Sequence, residues 1–485
     1  MKEVEIFFKN LFLKWILFRG HRKPGTGFVN LLPGNKVVAI RLNRIGDALV
    51  VTPFLHLLKE GTGCKITVIA DKNNHFVFKN NPDVDEVIVF EKGKKGTKEL
   101  LKRINSGGYK CLIDLHDDVS VTVSYIIAHS KVADIIGLRK NNNALYTHTV
   151  EKPDPVTHHV IERLLALLAV FKNDKGETPE VVKAHRMKET PQKAEEQQTE
   201  NGFLREELPY LSGGEIRVRF FPSEKSKETA ARKFAEMGFG EFETPQSIQG
   251  DKKAGRRFLV GVNISAGSKA RFWGVERYKQ LLQFLAERKI ESLLFCSVAD
   301  LELAREIAGD ERAGELQANL ATDLDLAGKV AVERRAKELR ANLATDSDLA
   351  KETAVDDLAE NLQANLQSEK ESENLTPKIP REARTQIYVT TDFGEFCEAL
   401  ARVNLLFTPD TATVHLASVN DIPVFGLYVK YNTQDMIWYP YNTRYETIVT
   451  TNPTLENVGF NEVIEKFEPF LEQELNRSQH SVSTD

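Results

Sequence analysis

Apolar runs of two kinds alternate along most of the chain. Residues 36–42 (Lys-Val-Val-Ala-Ile-Arg-Leu) are rich in β-branched residues and predict a buried strand. A loop follows at Arg44-Ile45-Gly46-Asp47, and residues 48–59 carry helical periodicity. Strands are predicted at 65–70, 86–90 and 111–115, with a helix at 97–105 and another at 164–171 closing this half. A second series starts with a strand at 258–263. It continues as helix 275–288, strand 290–296, helix 300–308, strand 386–389, helix 393–402, strand 404–408, helix 412–419 and strand 422–427. Strands alternating with helices predict parallel sheets. The pattern is thus of two similar α/β halves facing a cleft.

Three stretches break this rhythm. Residues 173–255 are polar, with a helix predicted at 224–237, and have the composition of a linker. Within the second half, Leu316-Gln-Ala-Asn-Leu-Ala-Thr-Asp recurs as Leu339-Arg-Ala-Asn-Leu-Ala-Thr-Asp and begins again at Leu362-Gln-Ala-Asn-Leu, a spacing of 23 residues. This repeat occupies about 310–375 and favours helix. It reads as a helical insertion without chemistry, or as a partner-binding arm. At the other end, residues 4–18 carry Phe7, Phe8, Leu11, Phe12, Trp15 and Phe18 as an apolar stripe. Glu5, Lys9 and Lys14 interrupt it, and it falls short of the roughly 20 apolar residues that span a bilayer. No small-residue cleavage site follows, which argues against a secretory signal.

Charge sharpens that reading. The 485-residue chain has a formal net charge of −5, so nothing global points to nucleic acid. Residues 1–44 nevertheless hold nine Lys and Arg against two Glu, net +7. An aromatic helix flanked by basic residues suits an anionic membrane surface, and equally a helix packed on its own domain. At 41% hydrophobic and 28% charged residues, the composition excludes a wholly disordered chain or a polytopic membrane protein. At about 150 residues per domain the 485 residues suggest roughly three domains, or two large ones. Four scattered cysteines (Cys64, Cys111, Cys296, Cys397) form no CxxC pair, so neither a disulfide framework nor a structural zinc site is expected.

Three strand-to-helix junctions carry candidate chemistry, because ligands of parallel sheets bind at the carboxyl ends of strands. In Arg41-Leu-Asn-Arg44-Ile-Gly46-Asp47 the acid is placed to act as a general base on a hydroxyl, or to cap the helix. A single glycine does not make a dinucleotide fingerprint. In Asn263-Ile-Ser265-Ala-Gly267-Ser268-Lys269-Ala-Arg271, small and hydroxyl residues precede two cations, a pattern that cradles phosphate or forms a surface turn. In Pro409-Asp410-Thr411-Ala412-Thr413-Val-His415, hydroxyls and helix amides meet phosphate oxygens, while His415 is a ligand or a packed helix residue. No Asp-x-Asp on a strand end suggests a metal held with a diphosphate.

Taken in order, these motifs resemble glycosyltransferase family nine, the heptosyltransferases of lipopolysaccharide core assembly. The likeness runs from Ile40–Pro53 through Asn81–Ile88, Asp114-Leu-His116, Ile136-Gly-Leu and Asn263–Ser268 with Trp273. It ends in Pro409–Ala417, Pro423–Tyr428 and Trp438-Tyr-Pro440. The resemblance implies a GT-B fold, two Rossmann-like domains across a cleft. Residues 36–172 would take the acceptor and 256–470 the nucleotide-sugar donor, typically ADP-heptose. A membrane-surface helix at 1–30 and a flexible tail at 471–485 would flank them.

It further implies an inverting transfer without metal or cofactor, on a lipid-linked core oligosaccharide at the cytoplasmic face of the membrane. Asp47 falls at the position of the general base, with Arg44, Asp114 and His116 on the acceptor side. Ser265, Ser268, Lys269, Arg271, Asp300, Asp410, Thr411, Ala412 and His415 fall on the donor side. Ala412 replaces the family's usual Gly, Arg271 its Lys, and Gly274 the Pro after Trp273. Tyr428–Thr433 replaces a short Gly-Pro-Thr stretch, leaving Lys430 and Thr433 to face phosphate. The alternative is a catalytically weak paralogue that binds a nucleotide-sugar or scaffolds core assembly.

Overall fold

A computed structural model describes residues 2–178, 216–239, 258–309 and 385–480. The expected repeat insertion at 310–375, and most of the expected linker, lie outside the described residues. Met1–Ala304 and Ala383–Asp485 make one compact unit. Arg305–Glu382 make a second, of which only the end of helix Leu301–Ala308 is described.

Two six-stranded sheets organise the compact unit, and among the described residues every strand pairing is parallel. A small pair, β1 (Val29–Asn30) with β8 (Phe171–Lys172), stands apart. The first sheet is built from β2 (Lys36–Arg41), β3 (Lys65–Asp71), β4 (Glu86–Phe90), β5 (Cys111–Asp114), β6 (Asp134–Leu138) and β7 (His148–Val150), in the order β4-β3-β2-β5-β6-β7. The second uses β9 (Leu259–Asn263), β10 (Glu291–Cys296), β11 (Thr385–Val389), β12 (Leu405–Pro409), β13 (Val424–Val429) and β14 (Tyr445–Thr450). Its order is β11-β10-β9-β12-β13-β14. Both are the Rossmann order, in which the strand sequence reverses direction once. That reversal falls between β2 and β5 in one sheet and between β9 and β12 in the other. The three candidate junctions leave β2, β9 and β12, so all of them open at these switch points.

Central strands are buried on both faces, which is why they read as continuous apolar runs: β9 is buried along its whole length and β2 from Val37 on. Beneath the second sheet the core is aromatic. Trp273 is fully buried, donates from Nε1 to the Val458 carbonyl at 2.9 Å, and lies 5.4 Å from the Phe407 ring. Phe407, Phe425 and Phe467 continue the stack. Gly274 follows Trp273 with φ +115°, a backbone conformation open to glycine, and caps helix Val275–Glu287. Phe467, Phe470 and Leu471 belong to helix Phe460–His480. The tail expected to be flexible from 471 is therefore helical to His480, held by buried Leu471 and by a two-pronged Arg444–Glu474 pair at 3.0 Å.

Other boundaries move for local reasons. The helix expected over 48–59 is two, Ile45–Leu49 and Thr52–Thr62. Pro53, which lacks an amide hydrogen, sits in the first turn of the second. The helix expected at 164–171 is Val160–Leu165 followed by a tighter turn, and Phe171 enters β8. Linker residues Ile216, Val218 and Phe220 are buried, and Arg219 bonds Asp83 on the first half. Helix Glu224–Glu236 belongs to the second half, where Lys233 pairs with Glu395 at 2.7 Å.

The N-terminal helix, Lys2–Gly20, divides its faces between the two readings. Ile16 is buried against the side of helix Val121–His129, in a cluster with Ile126 and Ile127, and Phe12 stacks near Tyr125. Arg22 then ties the chain to the carbonyls of Ser130 and Val132. Leu11, Trp15 and Phe18 stay exposed, Phe18 at 87%. Among the described residues no helix is long and apolar enough to cross a membrane.

Three histidines, His116, His159 and His415, are buried. Burial lowers the pKa of each, and for His415 it does so to about 4 against the opposing charge of Asp47. The unfolded chain therefore binds protons below about pH 6.5 that the fold refuses, so stability falls as pH falls through that range. We expect the urea midpoint to drop between pH 7 and pH 5, and the drop to shrink in His415→Gln. A midpoint that holds or rises on acidification would contradict this.

Candidate active site

The first junction is organised by a buried arginine. Arg41, the last residue of β2, is 2% exposed. Its Nη2 donates to Asp47 Oδ1 at 2.6 Å, its Nε to the Asp47 carbonyl at 2.9 Å, and its Nη1 to the Leu115 carbonyl beyond β5. Asp47 Oδ2 accepts the Arg44 amide at 3.3 Å. Asp47 therefore caps its short helix from the third helical position and is oriented by Arg41 at once. Asn43, with φ +92°, makes the turn between them. Its backbone strain is of the kind that collects at functional sites.

The second and third junctions are cross-linked. Asn263, ending β9, sends Nδ2 to Thr408 Oγ1 at 3.0 Å and Thr413 Oγ1 at 3.3 Å. Ser265 Oγ donates to Asp300 Oδ2 at 2.5 Å and accepts the Ser297 amide at 2.8 Å. Arg271 pairs with Asp410 at 3.0 Å. Burial pushes the Asp410 carboxyl up, against the lowering charges of Arg271 and Arg44. Thr411 caps helix Ala412–Val419 by accepting the Thr413 amide at 3.3 Å, so the positive end of that helix opens beside Arg271.

The two halves meet at these junctions. A Cβ on Gly46 would lie 3.4 Å from His415 Cδ2 and 3.7 Å from Ala412 Cα. The glycine lets helices Ile45–Leu49 and Ala412–Val419 approach, with the Ala412 methyl filling part of the gap. Met436 N–H bonds the Pro155 carbonyl at 2.7 Å, and Asn442 bonds that of Ile216 at 2.6 Å. The ring of His159 lies 4.8 Å from that of Tyr439.

Two cavities flank this contact. The larger, about 1420 Å³, is lined by Arg44, Asp47, Ser265, Ser268, Arg271, Asp300, Asp410, Thr411, Ala412 and His415, and by Lys430 and Thr433. The smaller, about 880 Å³, is lined by Arg41, Arg44, Asp47 and His116 together with Asp71, Lys92, Asp117 and Asp118. Asp47, Arg44, Ile45 and Trp438 line both. Trp438, whose ring sits 6.0 Å from His415, reaches the boundary from the segment between β13 and β14.

Two expected contacts do not line a cavity. Lys269 is exposed and lines neither of these two cavities, whereas its neighbours Ser268 and Arg271 line the larger. Asp114 lies behind the smaller cavity. Its Oδ1 accepts His116 Nδ1–H at 2.7 Å, and its Oδ2 accepts Tyr146 Oη at 2.6 Å and Lys140 Nζ at 3.0 Å. Burial alone would raise the Asp114 carboxyl, but Lys140, His116 and Tyr146 outweigh it and hold it well below the usual carboxylate range. His116 accepts the Leu42 amide at Nε2, so it is a neutral ring with both nitrogens engaged. Asp114 is thus a positioning residue. Arg41, Asn263 and Trp438 stand in motifs read from the sequence but were given no role there. Arg41 and Asn263 carried a signal: a charge and an amide at the ends of otherwise apolar strands.

Comparison with known proteins agrees with this architecture. The family model described as glycosyltransferase family 9 (heptosyltransferase) matches residues 97–350 and 360–467. A glycosyl transferase family 9 structure from Veillonella parvula aligns at 15% identity and TM-score 0.56, covering 91% of this chain and 98% of that one. The E. coli ADP-heptose LPS heptosyltransferase II aligns at 16% identity and TM-score 0.52, covering 90% and 99%. An E. coli heptosyltransferase with ADP aligns at 12% identity and TM-score 0.50, covering 91% and 99%. No curated protein sequence matches the chain. A family match over most of its length, on two Rossmann-ordered sheets, makes this chain a member of glycosyltransferase family 9, the heptosyltransferases.

Proposed function

We propose that this glycosyltransferase moves a heptose from ADP-heptose to a hydroxyl of a lipopolysaccharide core acceptor, with inversion and without a metal. The observation that carries the reading is the place of Asp47 on the wall common to both cavities. A general base for this reaction must touch the acceptor hydroxyl while that oxygen faces the donor's anomeric carbon. The acceptor oxygen gives its proton to the Asp47 carboxylate and forms the new bond to the anomeric carbon. The bond from that carbon to the diphosphate oxygen breaks, and its electron pair leaves with ADP. Arg271, the Thr411 hydroxyl and the first amides of helix Ala412–Val419 would meet the charge that develops there. Ser265 and Ser297 hold Asp300 where a nucleoside hydroxyl would be fixed. Lys430 and Thr433 line the same wall and would supply further phosphate contacts.

The choice of ADP-heptose rests on the family and on the name of the E. coli neighbour. The domain roles follow the same reading: 36–172 for the acceptor and 256–470 for the donor. The acceptor is lipid-linked, and the exposed Leu11, Trp15 and Phe18 beside Lys14 and Arg19 suit a peripheral seat on an anionic, cytoplasmic membrane face.

Replacing Asp47 with Asn should cut transfer by about 10²–10⁴-fold, the usual range for a lost general base. ADP-heptose binding, followed by calorimetry, should stay close to the parent's. Transfer at the parental rate would remove Asp47 as the base. The double variant Trp15→Ser/Phe18→Ser should stop sedimenting with anionic vesicles while staying folded, because it removes the exposed apolar face and leaves buried Ile16 to dock the helix. Unchanged sedimentation would remove the membrane role of this face.

A further inference from the structure

Four residues line both cavities, and three of them, Arg44, Ile45 and Asp47, come from the start of helix Ile45–Leu49. Trp438 is the fourth, and the second half's sole contribution to that shared wall among the described residues. Its neighbours anchor it there. The Met436 amide bonds the Pro155 carbonyl at 2.7 Å, and the Tyr439 ring lies 4.8 Å from that of His159. The Trp438 ring itself lies 6.0 Å from that of His415, in the first turn of helix Ala412–Val419. Trp438 therefore stands where the wall bearing Asp47 meets the helix whose start is capped by Thr411.

The indole is also chemically unspent. Trp438 is half-buried, and its Nε1–H makes no hydrogen bond among the described residues and is not sealed from solvent. Trp273 makes the contrast: it is fully buried, with its Nε1–H donated to the Val458 carbonyl at 2.9 Å. An open aromatic face with one spare donor matches a sugar ring. The ring's C–H face is apolar and weakly positive, and packs on the negative face of an aromatic system. Its oxygens accept from an indole N–H, which can only donate. A diphosphate offers oxygens but no apolar face. Arg271, Thr411 and Asp300, assigned above to the diphosphate and the nucleoside, line the larger cavity and not the smaller. What remains of a nucleotide-sugar beyond them, on the way to Asp47, is the sugar.

We infer that Trp438 binds the sugar being transferred, with its indole face against the C–H face of the ring and its Nε1–H donated to a sugar oxygen. This rests on the reading of the larger cavity as the donor's and of Asp47 as the base. Trp438 takes no proton and forms no covalent bond. It holds the ring from the second half while Asp47 faces the reacting carbon from the first.

Calorimetry on the full-length protein tests this with two probes, ADP and ADP-heptose, on the parent, Trp438→Leu and Trp438→Phe, with unfolding midpoints recorded alongside. ADP should bind all three within about twofold. ADP-heptose should bind Trp438→Leu at least about tenfold more weakly than the parent, a difference of about 1.4 kcal/mol. Trp438→Phe, which keeps an aromatic face and loses the donor, should fall between. Parental ADP-heptose affinity in folded Trp438→Leu overturns the inference. So does an equal loss of both probes, because the residue would then shape the cavity rather than grip the sugar. A reading that needs no change at position 438 uses Trp15→Phe, which leaves indoles only at Trp273 and Trp438. Its emission should change more with ADP-heptose than with ADP, and equal changes would overturn the inference. A parent that binds neither probe would sink the donor reading and the inference with it, whereas loss of the sugar-dependent difference alone sinks only the inference.

Discussion

The site depends on one buried guanidinium. Arg41 ends the central strand of the first sheet and uses all three of its nitrogens on three different groups: the Asp47 carboxylate, the Asp47 carbonyl and the Leu115 carbonyl. It therefore fixes the end of β2, the helix that follows, and the loop beyond β5. A buried charge left without its partner costs several kcal/mol, on the order of 3–5. The geometry of Asp47 is thus part of the fold's own stability rather than a loop ornament. The Arg44 amide holds the second carboxylate oxygen, so the group is aimed before any substrate arrives.

That constraint matters because of where it sits. Each sheet opens a crevice where its strand order reverses, and the two crevices face one another across the contact of helix Ile45–Leu49 with helix Ala412–Val419. Gly46 makes the approach close, and Trp438 closes the boundary from the far half. The halves have diverged in chemistry on a shared plan. The second offers helix amides, hydroxyls and cations, a set that fits a diphosphate. The first offers carboxylates held by neighbouring lysine and arginine side chains, with Arg44 at its edge. Between them stands the residue proposed to move the proton.

Much of this was legible because buried parallel strands leave unbroken apolar runs, and their alternation with helices is enough to give the class. The strands that escaped were those whose pattern is diluted. In Asp134–Leu138 a glycine interrupts the run, and Tyr445–Thr450 mixes Glu and Thr into an outer strand. Helix Val121–His129 was missed because its Val, Thr and Ile are β-formers, overridden here by the Ser120 cap and by packing under the N-terminal helix. At the site, spacing located the right loops but not the direction of each side chain. Lys269 and Arg271 lie two residues apart in a tight turn, and only the second faces the cavity. Asp114 and His116 satisfy each other, a pairing no linear pattern reveals. Trp438 was in view as part of a motif, yet only the return of the chain after β13 carries it between the halves.

The central claim is that Asp47 joins a donor and an acceptor held in separate cavities. A crystal structure of the protein with an unreactive fluorinated ADP-heptose and an acceptor saccharide measures this directly. The account predicts the diphosphate beside Arg271 and Thr411, and the acceptor hydroxyl within about 3.2 Å of an Asp47 oxygen, on the face of the anomeric carbon opposite the diphosphate. An acceptor hydroxyl out of reach of Asp47, with both sugars bound, would contradict it.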